Sequence, residues 1–236
     1  MRRGVSKLLR SREGFEDSVV FRYTILGYSS FAIWHFERSN EGMPLVVAFE
    51  GLPGGGKTTV IRLLIQALCA ACLRAVSVDI DTSAYASALR VATDALSLDN
   101  SVRSMHFWAM RIHQYRIVQE MQEHMDVIVM DRMWATALAF DGYGNGVPAA
   151  ILDWIGQNLT PPDVTFLLQA PLKVLRARKK SRTMRDRAFA ERVEKGYAQL
   201  ARIHSWHCVD ATRTPEDVKE QCLAIIYAAL AKKRLP

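Results

Sequence analysis

Cysteine is scarce in this chain. Four thiols in 236 residues are too few for a disulfide framework at this length, so a reducing compartment, the cytoplasm, is expected. No apolar run continues far enough to cross a bilayer, and no secretory leader is evident. Internal repeats and low-complexity tracts are missing as well, which argues against a solenoid or a disordered chain. The net charge is +7, but the basic residues are dispersed apart from a cluster between Arg176 and Arg187. That pattern suits small anionic ligands such as phosphates better than a broad nucleic-acid face, so neither nucleic acid nor membrane is expected as a partner. Half of the residues are apolar, enough for one substantial core and hence one domain, or a domain with an appendage.

The most informative stretch is Leu45 to Thr59, LVVAFEGLPGGGKTT. An apolar, partly β-branched run leads into a glycine-rich turn, followed by a long segment with few helix breakers. Gly51, Gly56, Lys57 and Thr58 stand at the G-x-x-x-x-G-K-T spacing of a phosphate loop. Glycines let backbone N–H groups turn inward on phosphate oxygens, and the next helix presents its positive end to them. Gly51, Leu52, Pro53, Gly54, Gly55, Gly56, Lys57, Thr58 and Thr59 are therefore the expected nucleoside triphosphate cradle. Within it Lys57 reaches the outer phosphates and the Thr58 hydroxyl holds Mg²⁺.

Strand and helix patterns alternate along the remainder. Strands are expected at Leu45–Phe49, Ala75–Ile80, Asp126–Met130, Val164–Gln169 and Trp206–Asp210. Helices are expected at Thr59–Leu73, Ser83–Leu98, Val102–His124, Ala149–Asn158, Leu172–Lys180, Arg187–His204 and Pro215–Lys232. The expected fold is α/β, a three-layer P-loop NTPase fold with a five-stranded parallel sheet covered by helices on both faces. Ligands of such sheets gather at the carboxyl ends of the strands, where Gly51, Asp79, Asp131 and Arg132 fall. Asp131, after an apolar strand, is the expected acid of the Mg²⁺ shell. Arg132 beside it is suited to a phosphate dianion. Cys69 and Cys72 form C-x-x-C inside an apolar helix and read as structural thiols, while His204, His207 and Cys208 read as a helix end and a strand start.

Residues 1–42 read as an N-terminal extension ahead of a phosphate-binding domain at 43–236. The start, MRRGVSKLLRSR, imitates a transit peptide, and the apolar stretch after it is too interrupted for a membrane helix. The extension is either an appendage or sequence upstream of the start used by the native protein, which the mass of the natively expressed chain would decide.

Four segments in order, FEGLPGGGKTT, DRMWATALAFDGYG, PPDVTFLLQAP, and AFAERVEKGYAQLA followed by VDATRTPEDV, resemble the thymidylate kinase family, enzymes that phosphorylate dTMP to dTDP with ATP. The resemblance runs from about Leu45 to Ile226. It implies that Phe107 stacks on the base and Arg111 hydrogen-bonds it, that Arg132 holds the acceptor phosphate, and that Thr136 touches the base. It also implies that Phe140 presses on the sugar where a 2′-hydroxyl would sit. It implies as well that 43–236 is a nucleotide kinase domain whose short basic lid is the cluster at about 176–187, so the catalytic set is Lys57 and Arg132 with a lid arginine, Arg178, Arg182 or Arg185. ATP and Mg²⁺ are the implied cofactors, a nucleoside monophosphate, dTMP foremost, is the implied acceptor, and a homodimer is the implied assembly.

Three departures fall on the acceptor side. Pro53 stands where most members have aspartate, SVDIDTSAYAS replaces a T-R-x-P-G turn, and Ala137 replaces an asparagine used against the base. Two alternatives follow. A deoxynucleoside kinase needs a base to take a hydroxyl proton, and Asp79 or Asp81 stands at the right strand end for it. An ATP-binding regulator that has lost efficient transfer would explain the altered acceptor residues, but not the retained lysine, Asp131–Arg132 pair and basic lid.

Overall fold

The computed structural model describes residues 43–148, Leu152 and 159–233, together with the backbone of two strands at 18–25 and 28–35. The chain divides into two units, Met1–Glu41 and Gly42–Pro236. In the first, β1 (Ser18–Ile25) and β2 (Tyr28–His35) form an antiparallel hairpin in which Ser18 faces His35 and Ile25 faces Tyr28.

The second unit is built on a parallel sheet of β3 (Leu45–Glu50), β4 (Ala75–Asp79), β5 (Val127–Asp131), β6 (Val164–Gln169) and β7 (His207–Asp210), in the order β4-β5-β3-β6-β7. β3, β5 and β6 are buried almost without a break, because helices cover both faces and leave no side for polar residues. Among the described residues the α-helices are α1 (Lys57–Ala70), α2 (Ala84–Ala95), α3 (Asn100–Met121), α4 (Trp134–Ala137), α5 (Leu172–Arg178), α6 (Arg182–Arg185), α7 (Arg187–Ile203) and α8 (Pro215–Lys233). Among the described residues no helix is long and apolar enough to cross a membrane.

Local chemistry sets several helix starts. The Ser83 hydroxyl accepts from the Ala86 amide, Asp99 from those of Ser101 and Val102, and Asp186 from that of Phe189. The core lies between the sheet and its helices: Phe49 of β3 stacks on Phe166 of β6 at 5.0 Å, and Leu64 and Leu68 of α1 and Ile226 of α8 are fully buried. Each such side chain contributes about 1.5–3 kcal/mol.

The expected strands are all present, with ends shifted by a residue. The expected helix at 149–158 lies outside the described residues except for Leu152. The basic segment is not one continuous helix: α5 stops at Arg178, and α6 restarts behind the Ser181 cap. α4 runs into a π-helical turn, Leu138–Gly144, that periodicity did not reveal. Its widened turn closes with the Asn145 amide donating to the Phe140 carbonyl at 2.9 Å.

Candidate active site

The carboxyl edge of the sheet brings the phosphate loop and Asp131 side by side, because Phe49 and Asp131 are direct partners in the β3–β5 register. Gly51 leaves β3 at φ 129°, and a Cβ there would lie 2.5 Å from the Leu168 carbonyl oxygen. Gly54 is held as tightly against the Leu175 carbonyl oxygen, also at 2.5 Å. Only glycine fits both positions. The loop therefore nests on β6 and α5 and carries the chain into the N-terminus of α1.

Lys57 is folded back into this loop. Its Nζ donates to the Gly51 carbonyl at 2.9 Å and to the Leu52 carbonyl at 3.1 Å. Burial, and next the Arg132 charge, pull the ammonium down to about 7, against the opposing pull of Asp131 and Glu50. Next to it the exposed Thr58 hydroxyl donates to Asp131 Oδ2 at 2.9 Å. A hydroxyl and a carboxylate at this spacing beside a phosphate loop are the oxygen donors that Mg²⁺ takes, so the pair fits that ion. Thr59, the next residue of α1, is exposed.

Arg132 follows Asp131 in the left-handed region, φ 70°, which is costly for any residue but glycine. The Arg132 amide donates to the Phe49 carbonyl at 3.0 Å, and the next amide, that of Met133, to Glu50 Oε1 at 2.8 Å. The side chain lies over the Phe140 ring, 5.6 Å from its centroid, and enters a cleft of about 590 Å³ that also reaches Pro53. Five arginines line this cleft, Arg90, Arg103, Arg111, Arg132 and Arg192, against Asp141 and Asp186. The balance calls for an anionic occupant.

Phe107, Arg111, Thr136 and Phe140 are all brought to this cleft. Phe107 has the Arg90 and Arg103 guanidiniums each 5.4 Å from its ring centroid. Arg111 is buried, and its Nε and Nη1 have no hydrogen-bond partner. Burial works against its charge, and Glu50 is the foremost opposing influence. The Thr136 hydroxyl is already committed, donating to Glu50 Oε2 at 2.5 Å. Ala137 also borders the cleft.

The basic run divides. Arg178 Nη1 donates to the Ala211 carbonyl at 2.6 Å and so is tied to the corner after β7. Arg185 is exposed at the end of α6, and the Arg182 side chain lies outside the described residues. The neighbours of these two, Thr183 and Asp186, line the cleft. Lys179, a member of the basic cluster not singled out among the catalytic candidates, is the basic residue of this run whose charge bears on Lys57.

Asp79 Oδ1 accepts from the Asp81 amide at 2.7 Å in a local turn, and Asp81 pairs with Arg90 at 2.6 Å. Neither lines the cleft, whereas Ile80 between them does. Sequence reasoning also missed Asp141, a buried carboxylate on the π-helical turn that burial pushes above its ordinary range, with Arg111 and Arg103 opposing. It missed Glu50 and Tyr197 too, which meet at 2.9 Å beneath Arg132. An acid in the last position of an otherwise apolar strand was the one available signal for Glu50.

The chain is similar to known proteins in sequence and in fold. The family model described as thymidylate kinase matches residues 49–222. A thymidylate kinase from Desulfovibrio desulfuricans is 30% identical over 215 residues, covering 80% of this chain and 98% of that protein. One from Trichodesmium erythraeum is 29% identical over 216 residues, covering 79% and 96%. The crystal structure of thymidylate kinase from Ehrlichia chaffeensis shares the fold, with a TM-score of 0.65 at 22% identity over 78% of this chain and 99% of that one. With a family match over most of its length, and a phosphate loop opening on an arginine-lined cleft, this chain belongs to the thymidylate kinase family.

Proposed function

We propose that this protein transfers the γ-phosphoryl group of ATP to the 5′-phosphate of dTMP, yielding dTDP and ADP. An acceptor phosphate oxygen forms the new bond to the γ-phosphorus as the bond to the β–γ bridging oxygen breaks, and ADP carries away the electron pair. The acceptor oxygen is ionised at neutral pH, so positioning and electrostatics supply the catalysis and no strong base is required. The observation that carries this reading is Arg132: it lines the acceptor cleft, and its charge is felt by the phosphate-loop lysine.

In this reading Lys57 leaves the loop carbonyls for the β- and γ-phosphates and follows the transferred group. Arg132 holds the acceptor phosphate, Phe107 and Arg111 take the base, and Phe140 stands against the sugar. Thr58 and Asp131 would hold Mg²⁺, which would supply positive charge to the triphosphate. Arg182 or Arg185 of the lid supplies the remaining cation, since Arg178 is bound elsewhere. The protein acts as a homodimer through α3, where Val102, Met105 and Ile112 are exposed.

Steady-state ADP release against a panel of monophosphates and nucleosides tests the activity. The expected outcome is the highest kcat/KM for dTMP and none for thymidine. ADP release that ignores the acceptor, or thymidine outrunning dTMP, would overturn it.

A further inference from the structure

We infer that Glu50 is a positioning residue for the acceptor phosphate, holding Arg132 in its productive place from beneath through Met133, Thr136 and Tyr197. The inference rests on the reading that Arg132 grips that phosphate.

Glu50 has no exposed surface, and a buried carboxylate is costly unless its lone pairs are filled. Three donors from two parts of the chain, the start of α4 and the middle of α7, fill them. The Met133 amide donates to Oε1 at 2.8 Å, while the Thr136 hydroxyl at 2.5 Å and the Tyr197 hydroxyl at 2.9 Å donate to Oε2. The two hydroxyls also lie 2.9 Å from each other, and each has one proton, which the acceptor-only carboxylate draws to itself. Their lone pairs are thereby left for Arg132, whose Nη1 donates to the Tyr197 oxygen at 3.2 Å and lies 3.5 Å from the Thr136 oxygen.

The same carboxylate acts on the backbone. Arg132 is held at φ 70° by hydrogen bonds on both sides, its own amide to the Phe49 carbonyl and the next amide to Glu50. A strained residue persists only where its surroundings over-determine it. Here the side chain and the following peptide are pinned by one group. A merely structural acid would need no such polarity. A carboxylate accepts only, so it orients every donor around it, whereas the amide of glutamine would donate into the hydroxyl lone pairs that Arg132 uses.

The test is Glu50→Gln and Tyr197→Phe in the full chain, with binding of dTMP and of thymidine measured by titration calorimetry and the KM for each substrate measured separately. Loss of an oriented charged hydrogen bond predicts dTMP binding weakened about 10- to 100-fold in Glu50→Gln, with thymidine binding and the KM for ATP within about twofold. Tyr197→Phe keeps the ring and is expected to show the same selectivity at about 3- to 10-fold. Equal losses for dTMP and thymidine, parallel rises in both KM values, or a lower melting temperature with unchanged dTMP binding would overturn the inference. If Glu50→Gln does not fold, Tyr197→Phe decides alone. A wild-type protein that turns over no dTMP would refute the proposed function instead, so the two failures are distinguishable.

Discussion

The Thr58 hydroxyl donates to the Asp131 carboxylate across 2.9 Å, although the two residues are 73 positions apart in the chain. The pairing exists because β3 and β5 are neighbours whose carboxyl ends coincide, so the residue after the phosphate-loop lysine meets the last residue of β5. Two oxygen donors are thus assembled side by side beside the phosphate loop.

Thr58→Ala and Asp131→Asn should each lower kcat on the order of 100-fold and raise the Mg²⁺ concentration needed for half-maximal rate. An exposed hydrogen bond of this type contributes only about 1 kcal/mol, so thermal stability should barely move. An Mg²⁺ dependence identical to wild type would refute the assignment.

Lys57 links ligand binding to pH. Its folded-state value of about 7 lies below the ordinary 10.5, so between those values the unfolded chain holds more protons than the folded one. The contribution of this group therefore makes the fold more stable as pH rises through that window. Triphosphate in the loop restores the charge, so MgATP binding at pH 8 should take up a proton, approaching one per site, and almost none at pH 6. Calorimetry in buffers of different ionisation enthalpy measures this, and equal uptake at the two pH values would count against it.

Phe107→Ala should raise the KM for dTMP about 5- to 100-fold, the loss of one base stacked on an aromatic ring, while the KM for ATP stays put. A change in the ATP KM alone would place Phe107 outside the acceptor site.

Gly51→Ala should cost more than about 2 kcal/mol and abolish nucleotide binding, because its Cβ would meet a backbone oxygen at 2.5 Å and its φ of 129° is foreign to alanine. Chemical denaturation measures the first effect and fluorescent nucleotide titration the second.

Asp79→Asn and Asp81→Asn should leave dTMP turnover within about threefold, since neither lines the cleft: one aspartate closes a local turn and the other pairs with the half-buried Arg90 at its edge. Loss of turnover in Asp79→Asn would revive a mechanism that needs a base at the second strand.

The parts of this site legible in the sequence are those whose chemistry is local. The phosphate loop is contiguous, and its glycines, lysine and threonine owe their roles to backbone geometry within eight residues. Asp131 and Arg132 were legible because an apolar strand ending in charge is a one-dimensional pattern. Phe107, Arg111, Thr136 and Phe140 came only through family resemblance, since an aromatic and an arginine on a long helix have many other uses.

What the sequence by itself determined is the order of strands and helices and the triphosphate cradle, because periodicity and turn chemistry act over short spans. Only the tertiary structure decided that Glu50 faces inward, that the Thr136 hydroxyl is spent on it, that Arg178 is tied to the Ala211 carbonyl, and that Asp141 lies buried beside Arg111. Glu50 and Tyr197 are 147 positions apart, and such a bond depends on which strands become neighbours and which helix face turns toward them.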